Sequence, residues 1–325
     1  MDTSVKVLTM LLAILLFVAV VGVMLFIASR TERKGAQFVA YVFLLPSILM
    51  LSVGLLYPAV KTIYASFFDA AGKAFIGFGN YHTIFSSSDE ITVLRNTVLW
   101  VLVTPFVATA IGLLYAILVE GAKAEALAKA MIFLPMAISM VAASIIWKFV
   151  YEFRPDQPGV KQIGLLNQVL VWLGGSPQQW LLNDPWNTFF LIVVMIWIQA
   201  GFAMTILSAS IKAIPDDIIE AARLDGVRAL GMFRFVTLPM IRPSVIVVLT
   251  TIAIGTLKVF DVVRTMTGVN ISTNFVSNWF SIQSFLSPNA AFVSSPHVPL
   301  FFLSFHILAY HLPHLPASHS TVPFR

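Results

Sequence analysis

The chain has 325 residues, of which 58% are hydrophobic and 11% are charged, and its mean hydropathy is +0.89. Average soluble proteins carry about 25% charged residues, so this composition excludes a water-soluble domain and indicates a polytopic membrane protein. The net charge of +5 suits contact with an anionic lipid leaflet and does not indicate nucleic acid binding, and the lack of cysteine excludes disulfides and thiolate-ligated metals.

Apolar runs long enough to cross a bilayer, about 20 residues each, predict an all-α bundle of six to seven transmembrane helices. The first run exceeds the apolar core of a signal peptide, which spans about 7–15 residues, so we expect it to be a retained helix. In chain order the candidate spans are 7–28, 38–58, 96–118, 130–151, 186–207, 244–264 and, more weakly, 291–310.

The distribution of lysine and arginine predicts the orientation, because cytoplasmic loops carry an excess of these residues. Segments 29–37 and 208–243 hold three and five of them. With alternating spans, segment 119–129 falls on the same side, and we place these three segments in the cytoplasm. On the opposite, extracytoplasmic side of the membrane we expect the N-terminus and the segments 59–95, 152–185 and 265–290.

A charged island, EAARLDGVRALGMFRFVTLP, lies between two apolar runs at 220–239. Asp217 is a candidate N-cap for a helix, and Glu220 stands three residues later, as in a capping box. Gly226 is expected to end this helix, since glycine adopts the left-handed conformation without penalty. A helix of about nine residues does not persist alone in water, so packing against something else must hold it.

A second short helix is predicted from Arg228 to Thr237, with Pro239 and Pro243 ending it and restarting the chain into the next span. The local sequence by itself predicts that the charged island is a solvated loop with some helical content. The spacing of its residues favours a different interpretation.

The spacing resembles the EAA loop of ABC importer permeases, written E-A-A-x3-G-x9-I-x-L-P. Every fixed position agrees except Val236, which replaces isoleucine. Further stretches between 38 and 285 are similar to the maltose-type sugar permeases, and to their alpha-glucoside branch in particular. These stretches are YVFLLPSILMLSVGLLYPAVKTIYASF, FIGFGNYHTIF, ALAKAMIFLPMAISMVAASIIWKFVY and WIQAGFAMTILSASIKAIPDDIIEAARLDG.

The resemblance implies a type I ABC importer permease, a transport subunit of the bacterial plasma (inner) membrane with no catalytic residue of its own. Its loop would dock in a cleft of a cytoplasmic ATPase, which would bind ATP and Mg, since this chain contains no G-x4-G-K-[ST] phosphate loop. The chain itself is expected to bind no cofactor and no metal. The expected coupling residues are Asp217, Glu220, Ala221, Ala222, Asp225, Gly226, Val236, Leu238 and Pro239.

The family also implies the partners: a second permease subunit, two ATPase subunits, a periplasmic or extracellular solute-binding protein and the lipid bilayer. The expected solute is a carbohydrate, an alpha-glucoside or another oligosaccharide, and no substrate-binding residue is assigned. Two alternatives stay open. A facilitator or secondary carrier would work without ATP and would often show inverted repeats, and a membrane enzyme would need catalytic groups around a cavity.

The domain organisation expected from these patterns has three parts. Residues 1–37 form an extra N-terminal transmembrane helix with a basic link, 38–290 form the permease core with its loop at 208–243, and 291–325 form an atypical segment. Near the end of the sixth span, Lys258, Asp261 and Arg264 are interpreted as structural, through helical ion pairs and snorkelling.

The last segment departs from the family, because no formal charge lies between Arg264 and Arg325 and five of the six histidines lie there. A metal or haem site at His306, His311 and His314 is the less favoured interpretation, since prolines follow and no carboxylate is near. We hypothesise instead a reading-frame shift near 284–289.

Retranslation of the DNA after this point in the other two frames tests the hypothesis. We expect one frame to encode an apolar helix followed by a basic tail, and the idea fails if neither frame does.

Overall fold

The computed structural model describes residues 36–286 apart from 70, 71 and 158, together with scattered helical positions between 10 and 26 and residue 298. The predicted span at 7–28 is therefore described only at those scattered positions. The histidine-rich segment, with its alternative metal site, lies outside the described residues apart from 298.

The chain through residue 64 forms a compact unit by itself. Helix α1 (Ala36–Leu51) continues through a π-helical stretch (Ser52–Leu56) into α2 (Tyr57–Ala65). The π-helical turns end shortly before Pro58, which has no N–H to donate and whose ring crowds the carbonyl four residues earlier. A wider turn accommodates that proline, so the apolar helix 43–65 continues unbroken past the predicted end at residue 58.

The unit from residue 65 onward is built of helices. Its first half contains α3 (Gly79–Ser86), α4 (Ser88–Val119), α5 (Glu125–Ala137), α6 (Met140–Val150), α7 (Leu165–Trp172) and α8 (Asn187–Lys212). Its second half contains α9 (Asp216–Leu224), α10 (Ala229–Gly231), a π-helical stretch (Met232–Thr237), α11 (Leu238–Leu257), α12 (Asp261–Met266), a 3₁₀ turn (Ile271–Thr273) and α13 (Val276–Leu286).

Four helices in the described residues are long and apolar enough to cross a bilayer, and the bent pair α5–α6 makes a fifth candidate. Their ranges are Phe43–Ala65, Ser88–Val119, Asn187–Lys212 and Ala229–Leu257. An all-α bundle of transmembrane helices is therefore confirmed for this part of the chain.

The predicted span at 130–151 is divided into two helices, because α5 and α6 meet at an angle of 100°. Pro135 lies in the last turn of α5, and the Ser139 hydroxyl caps α6 by accepting from the Ala142 N–H at 3.2 Å. A proline near the end of one helix followed by a new N-cap separates two helices.

The bent pair nevertheless follows the length of α8 from one end to the other. At one end the Lys129 ammonium donates to Ser208, and at the other the Tyr151 hydroxyl donates to the Phe190 carbonyl at 3.0 Å. These two contacts on α8 are about 27 Å apart at 1.5 Å per residue. The pair is thus one broken span and not a re-entrant loop.

Helix α8 is the central element, since α4 and α5 approach it at backbone distance. A Cβ at Gly112 of α4 would lie 2.7 Å from the Met204 nitrogen and would also overlap Ala203. A Cβ at Gly201 of α8 would lie 2.5 Å from the Ile132 carbonyl oxygen of α5. Small residues permit this contact, which holds helices together in lipid, where the hydrophobic effect between helices is missing.

The predicted span at 244–264 is present, but its predicted end is wrong, because α11 ends at Leu257 and a separate short helix follows at 261–266. Lys258, Asp261 and Arg264 therefore do not share one continuous helix face. No ion pair joins them, so the expected helical pairing is not formed.

Side-chain amides hold the irregular chain that follows α12. The Asn96 amide of α4 donates to the carbonyls of Ser272 and Asn274 at 2.9 and 3.1 Å. The Asn187 amide, at the start of α8, donates to the Ser272 hydroxyl at 2.7 Å. Non-helical backbone at membrane depth persists only where the protein satisfies its polar groups, and these buried amides do so at the N-terminal ends of α4 and α8.

We predict that Gly112→Ala lowers the thermal unfolding midpoint of the detergent-purified protein, because the added methyl forces α4 away from α8. Overpacking of this kind costs about 1–3 kcal/mol. The matched control is Gly255→Ala in α11, where an added Cβ meets no atom within 4 Å. Alanine favours a helix over glycine, so this control should not lower the midpoint, and equal shifts for both variants would contradict the packing argument.

Candidate functional site

The helix predicted in the charged island is α9, and it begins two residues earlier than expected, at Asp216. Pro215 occupies the N-cap position, and no side chain caps the helix. The predicted pairing of Asp217 with Glu220 as a capping box is therefore wrong, because Asp217 lies inside the first turn. Asp216 and Asp217 instead place negative charge at the positive end of the helix dipole.

The end of α9 agrees with the sequence prediction. Gly226 has φ of +76°, and two hydrogen bonds close the turn around it. The Val227 N–H donates to the Ala222 carbonyl at 3.1 Å, and the Gly226 N–H donates to the Arg223 carbonyl at 3.0 Å. This is the Schellman arrangement, with Asp225 as the C-cap residue.

No residue of α9 is buried. Glu220 and Ala221 are exposed, and Ala222 is half-buried. Large apolar side chains in and after the helix also face outward, with Leu224 90%, Leu230 79% and Phe235 72% exposed. Apolar side chains among charged residues on one surface are typical of a protein interface.

The predicted second helix, ending at Thr237, is wrong because the chain stays helical from Ala229 to Leu257. Val236 lies in the π-helical stretch, while Leu238 and Pro239 are the first residues of α11. Pro239 has no N–H to donate, and its ring crowds the preceding turn of the helix. The wider π-helical turns just before it leave room for the ring, so the helix continues. The prolines shape the entry into the bundle without stopping the helix.

An ionic cluster lies at the base of α9, where α8 ends. Lys212, in the last turn of α8, is 2.6 Å from Glu125 and 3.4 Å from Glu120. Lys129 is 2.6 Å from Glu125 and 3.5 Å from Glu120, and Ser208 donates to Glu120 at 3.1 Å. These ion pairs join the turn between α4 and α5 to the end of α8.

Sequence reasoning missed this cluster. The i,i+4 spacing of Glu125 and Lys129 signals one pair, but Lys212 lies far along the chain and no local pattern connects it. Only three residues separate Lys212 from α9, and one of them, Ile214, is buried. The cluster therefore fixes the point from which α9 projects.

The structure brings the nine expected coupling residues into one segment, on α9, its C-terminal turn and the entry to α11. Within the described residues, no group of three or more histidine, aspartate or glutamate side chains is arranged to hold a metal ion.

Comparison with known proteins relates this chain to components of transport systems. Residues 108–310 match the family model described as binding-protein-dependent transport system inner membrane component. The osmoprotective compounds uptake permease protein GgtC of Synechocystis sp. is 46% identical over 236 residues, which cover 73% of this chain and 84% of that protein.

The alpha-glucoside transport system permease protein AglF of Rhizobium meliloti is 42% identical over 252 residues, covering 78% of this chain and 74% of that protein. A chain from the crystal structure of a bacterial ABC transporter involved in the import of alginate shares the fold. It is 20% identical with a TM-score of 0.72, covering 88% of this chain and 96% of that one. These matches and the spacing around Glu220 show that the chain belongs to the family of inner membrane components of binding-protein-dependent transport systems.

Proposed function

We propose that this chain is the membrane-spanning permease subunit of an ATP-driven importer, and that α9 is the helix through which ATPase subunits move it. The observation that carries the proposal is a short helix without a buried residue that has the family's E-A-A-x3-G spacing. A nine-residue helix is marginal alone, and Leu224, its last residue, is almost fully exposed. A docked partner would cover the helix and the Leu224 side chain.

The attachment of α9 gives this proposal a mechanical basis. On one side, three residues with buried Ile214 connect α9 to α8. On the other side, the turn at Gly226 leads into the continuous helix 229–257. A displacement of α9 would therefore act on α8 and α11 together, and the ionic cluster would pass it to the turn between α4 and α5.

The remaining partners follow from the family and from the relatives. The chain would pair with a second permease subunit, two ATPase subunits holding ATP and Mg, and a periplasmic or extracellular solute-binding protein. Its loop 208–243 would face the cytoplasm. Similar proteins are described as permeases for alpha-glucosides, lactose, and trehalose or maltose, so we propose an alpha-glucoside or another oligosaccharide as the solute.

Gly226 offers the most direct test. We predict that Gly226→Val abolishes ATP-driven sugar uptake by the reconstituted transporter while the subunit still inserts into the membrane and ATP hydrolysis continues. Valine strongly resists the positive φ that this turn needs. An added Cβ meets nothing within 4 Å, so the effect would come from the turn geometry and not from a clash inside the chain.

The matched control for this test is Gly226→Asn, since asparagine tolerates the left-handed conformation. It should keep most of the uptake. Full uptake by the valine variant would contradict the coupling role, and sugar uptake by the wild-type chain without ATP would favour the facilitator instead.

The ionic cluster yields a second prediction. Lys212→Met removes the ion pairs that tie α8 to Glu120 and Glu125, so we expect uptake per ATP hydrolysed to fall several-fold. Lys212→Arg, which keeps the charge, should restore coupling. Lys123→Met is the control, because Lys123 is exposed in the same turn and forms no ion pair with a described residue. Equal coupling in the Lys212→Met and Lys123→Met variants would show that the cluster transmits nothing.

A further inference from the structure

A cavity of about 370 Å³ opens near the N-terminal end of α8. Its lining includes Lys148 in the last turn of α6, Tyr151 and Glu152 just after that helix, and Gln179 and Trp180 before α8. This end of α8 is about 39 Å from its C-terminal end, at 1.5 Å per residue. The cavity and the coupling helix α9 thus lie near opposite ends of the same helix.

One buried amide organises the walls of this cavity. The Asn167 side chain, which is fully buried, donates to the Glu152 carbonyl at 2.8 Å and to the Gln178 carbonyl at 3.0 Å. Its oxygen accepts from the Gln178 N–H at 2.9 Å and from the Trp180 indole at 3.0 Å. Asn167 therefore fixes the segments that carry Glu152, Gln179 and Trp180.

The aromatic side chains in the lining are also held in place. The Trp180 ring packs edge-on against Phe190 with centroids 5.0 Å apart, and Tyr151 donates its hydroxyl proton to the Phe190 carbonyl. The site is thus preorganised before any ligand arrives, which lowers the entropic cost of binding.

The polar side chains at the cavity, in contrast to the aromatic ones, are not held by neighbouring groups. Lys148, Glu152 and Gln179 form no side-chain hydrogen bond or ion pair with any described residue. Together they offer donors and acceptors, and the charges of the lysine and the glutamate cancel. The fixed ring of half-buried Trp180, together with uncommitted and electrically balanced polar groups, suits a neutral compound that has many hydroxyls and also apolar C–H faces.

We propose that this cavity is a carbohydrate-binding subsite on the outer face of the permease, taking the end of an oligosaccharide before it enters the transport pathway. The inference rests on the proposed function, since α9 facing cytoplasmic ATPases places the opposite end of α8 outside, where the solute arrives. The cavity volume lies at the lower end of the range for small-molecule sites, about 300–1,000 Å³. It therefore suits the end of a sugar chain and not a whole protein surface.

The test uses the complete reconstituted transporter with its binding protein, and maltose, sucrose, trehalose and lactose as probes. For the sugar that the wild type imports, the double variant Glu152→Ala, Gln179→Ala should raise the KM for uptake about ten- to thirtyfold, the loss expected for two hydrogen bonds. The matched control is Asp156→Ala, Gln157→Ala, on the same segment but outside the cavity lining, and it should leave the KM unchanged.

A binding measurement distinguishes the sugar from a protein partner. Saturation-transfer NMR with the imported sugar, on the transporter without its binding protein, should give a signal that the cavity variant loses and the control keeps. A wild-type KM in the cavity variant would overturn the subsite and leave the proposed function standing. Weaker capture of the binding protein with an unchanged sugar signal would assign the cavity to docking and also overturn the subsite. ATP-driven uptake of none of the probes would contradict the proposed function itself.

Discussion

The close approach of α4 and α5 to α8 is the contact on which the rest of the structure depends. Gly112 and Gly201 leave no room for a side chain between these helices, so α8 is held by backbone surfaces on two sides. Lipid provides no hydrophobic force that would push helices together, and tight packing of small residues is what remains. Helix α9 lies at the C-terminal end of α8, and the cavity lined by Glu152 and Trp180 lies near its N-terminal end.

The two ends of α8 are built with different chemistry. At the N-terminal end, the neutral amide of Asn96 bonds the backbone carbonyl of Ser272, and that of Asn187 bonds the Ser272 hydroxyl. At the C-terminal end, Lys129 and Lys212 meet two glutamates. Cations near a helix C-terminus interact favourably with its dipole, and neutral amides satisfy buried backbone without the desolvation cost of a charge. The charged end is thus the one that adjoins the exposed helix α9.

The sequence predicted the spans from the lengths of apolar runs, and it predicted the turn at Gly226 because only that residue type fits a positive φ readily. The sequence prediction failed for helices that contain proline and for contacts between residues that lie far apart in the chain. Pro239 and Pro243 suggested an end to the helix, yet π-helical turns absorb Pro239 and the helix continues. The break after Leu257 and the partner of Lys212 depend on tertiary contacts, which no local pattern encodes.

The continuity of the helix from 229 to 257 changes how the proposed coupling would work. A helix that stopped at Pro239 would leave a soft joint between α9 and the bundle, and a push on α9 would be absorbed there. The observed helix enters the core directly, where Val248 and Ile252 pack with Ala203, Met204 and Leu207 of α8. Close-packed interiors transmit strain because they are not continuously deformable. A force on α9 would therefore turn α8 and α11 as one packed pair, with the short connections on either side of α9 as the only hinges that the described segment 208–257 provides.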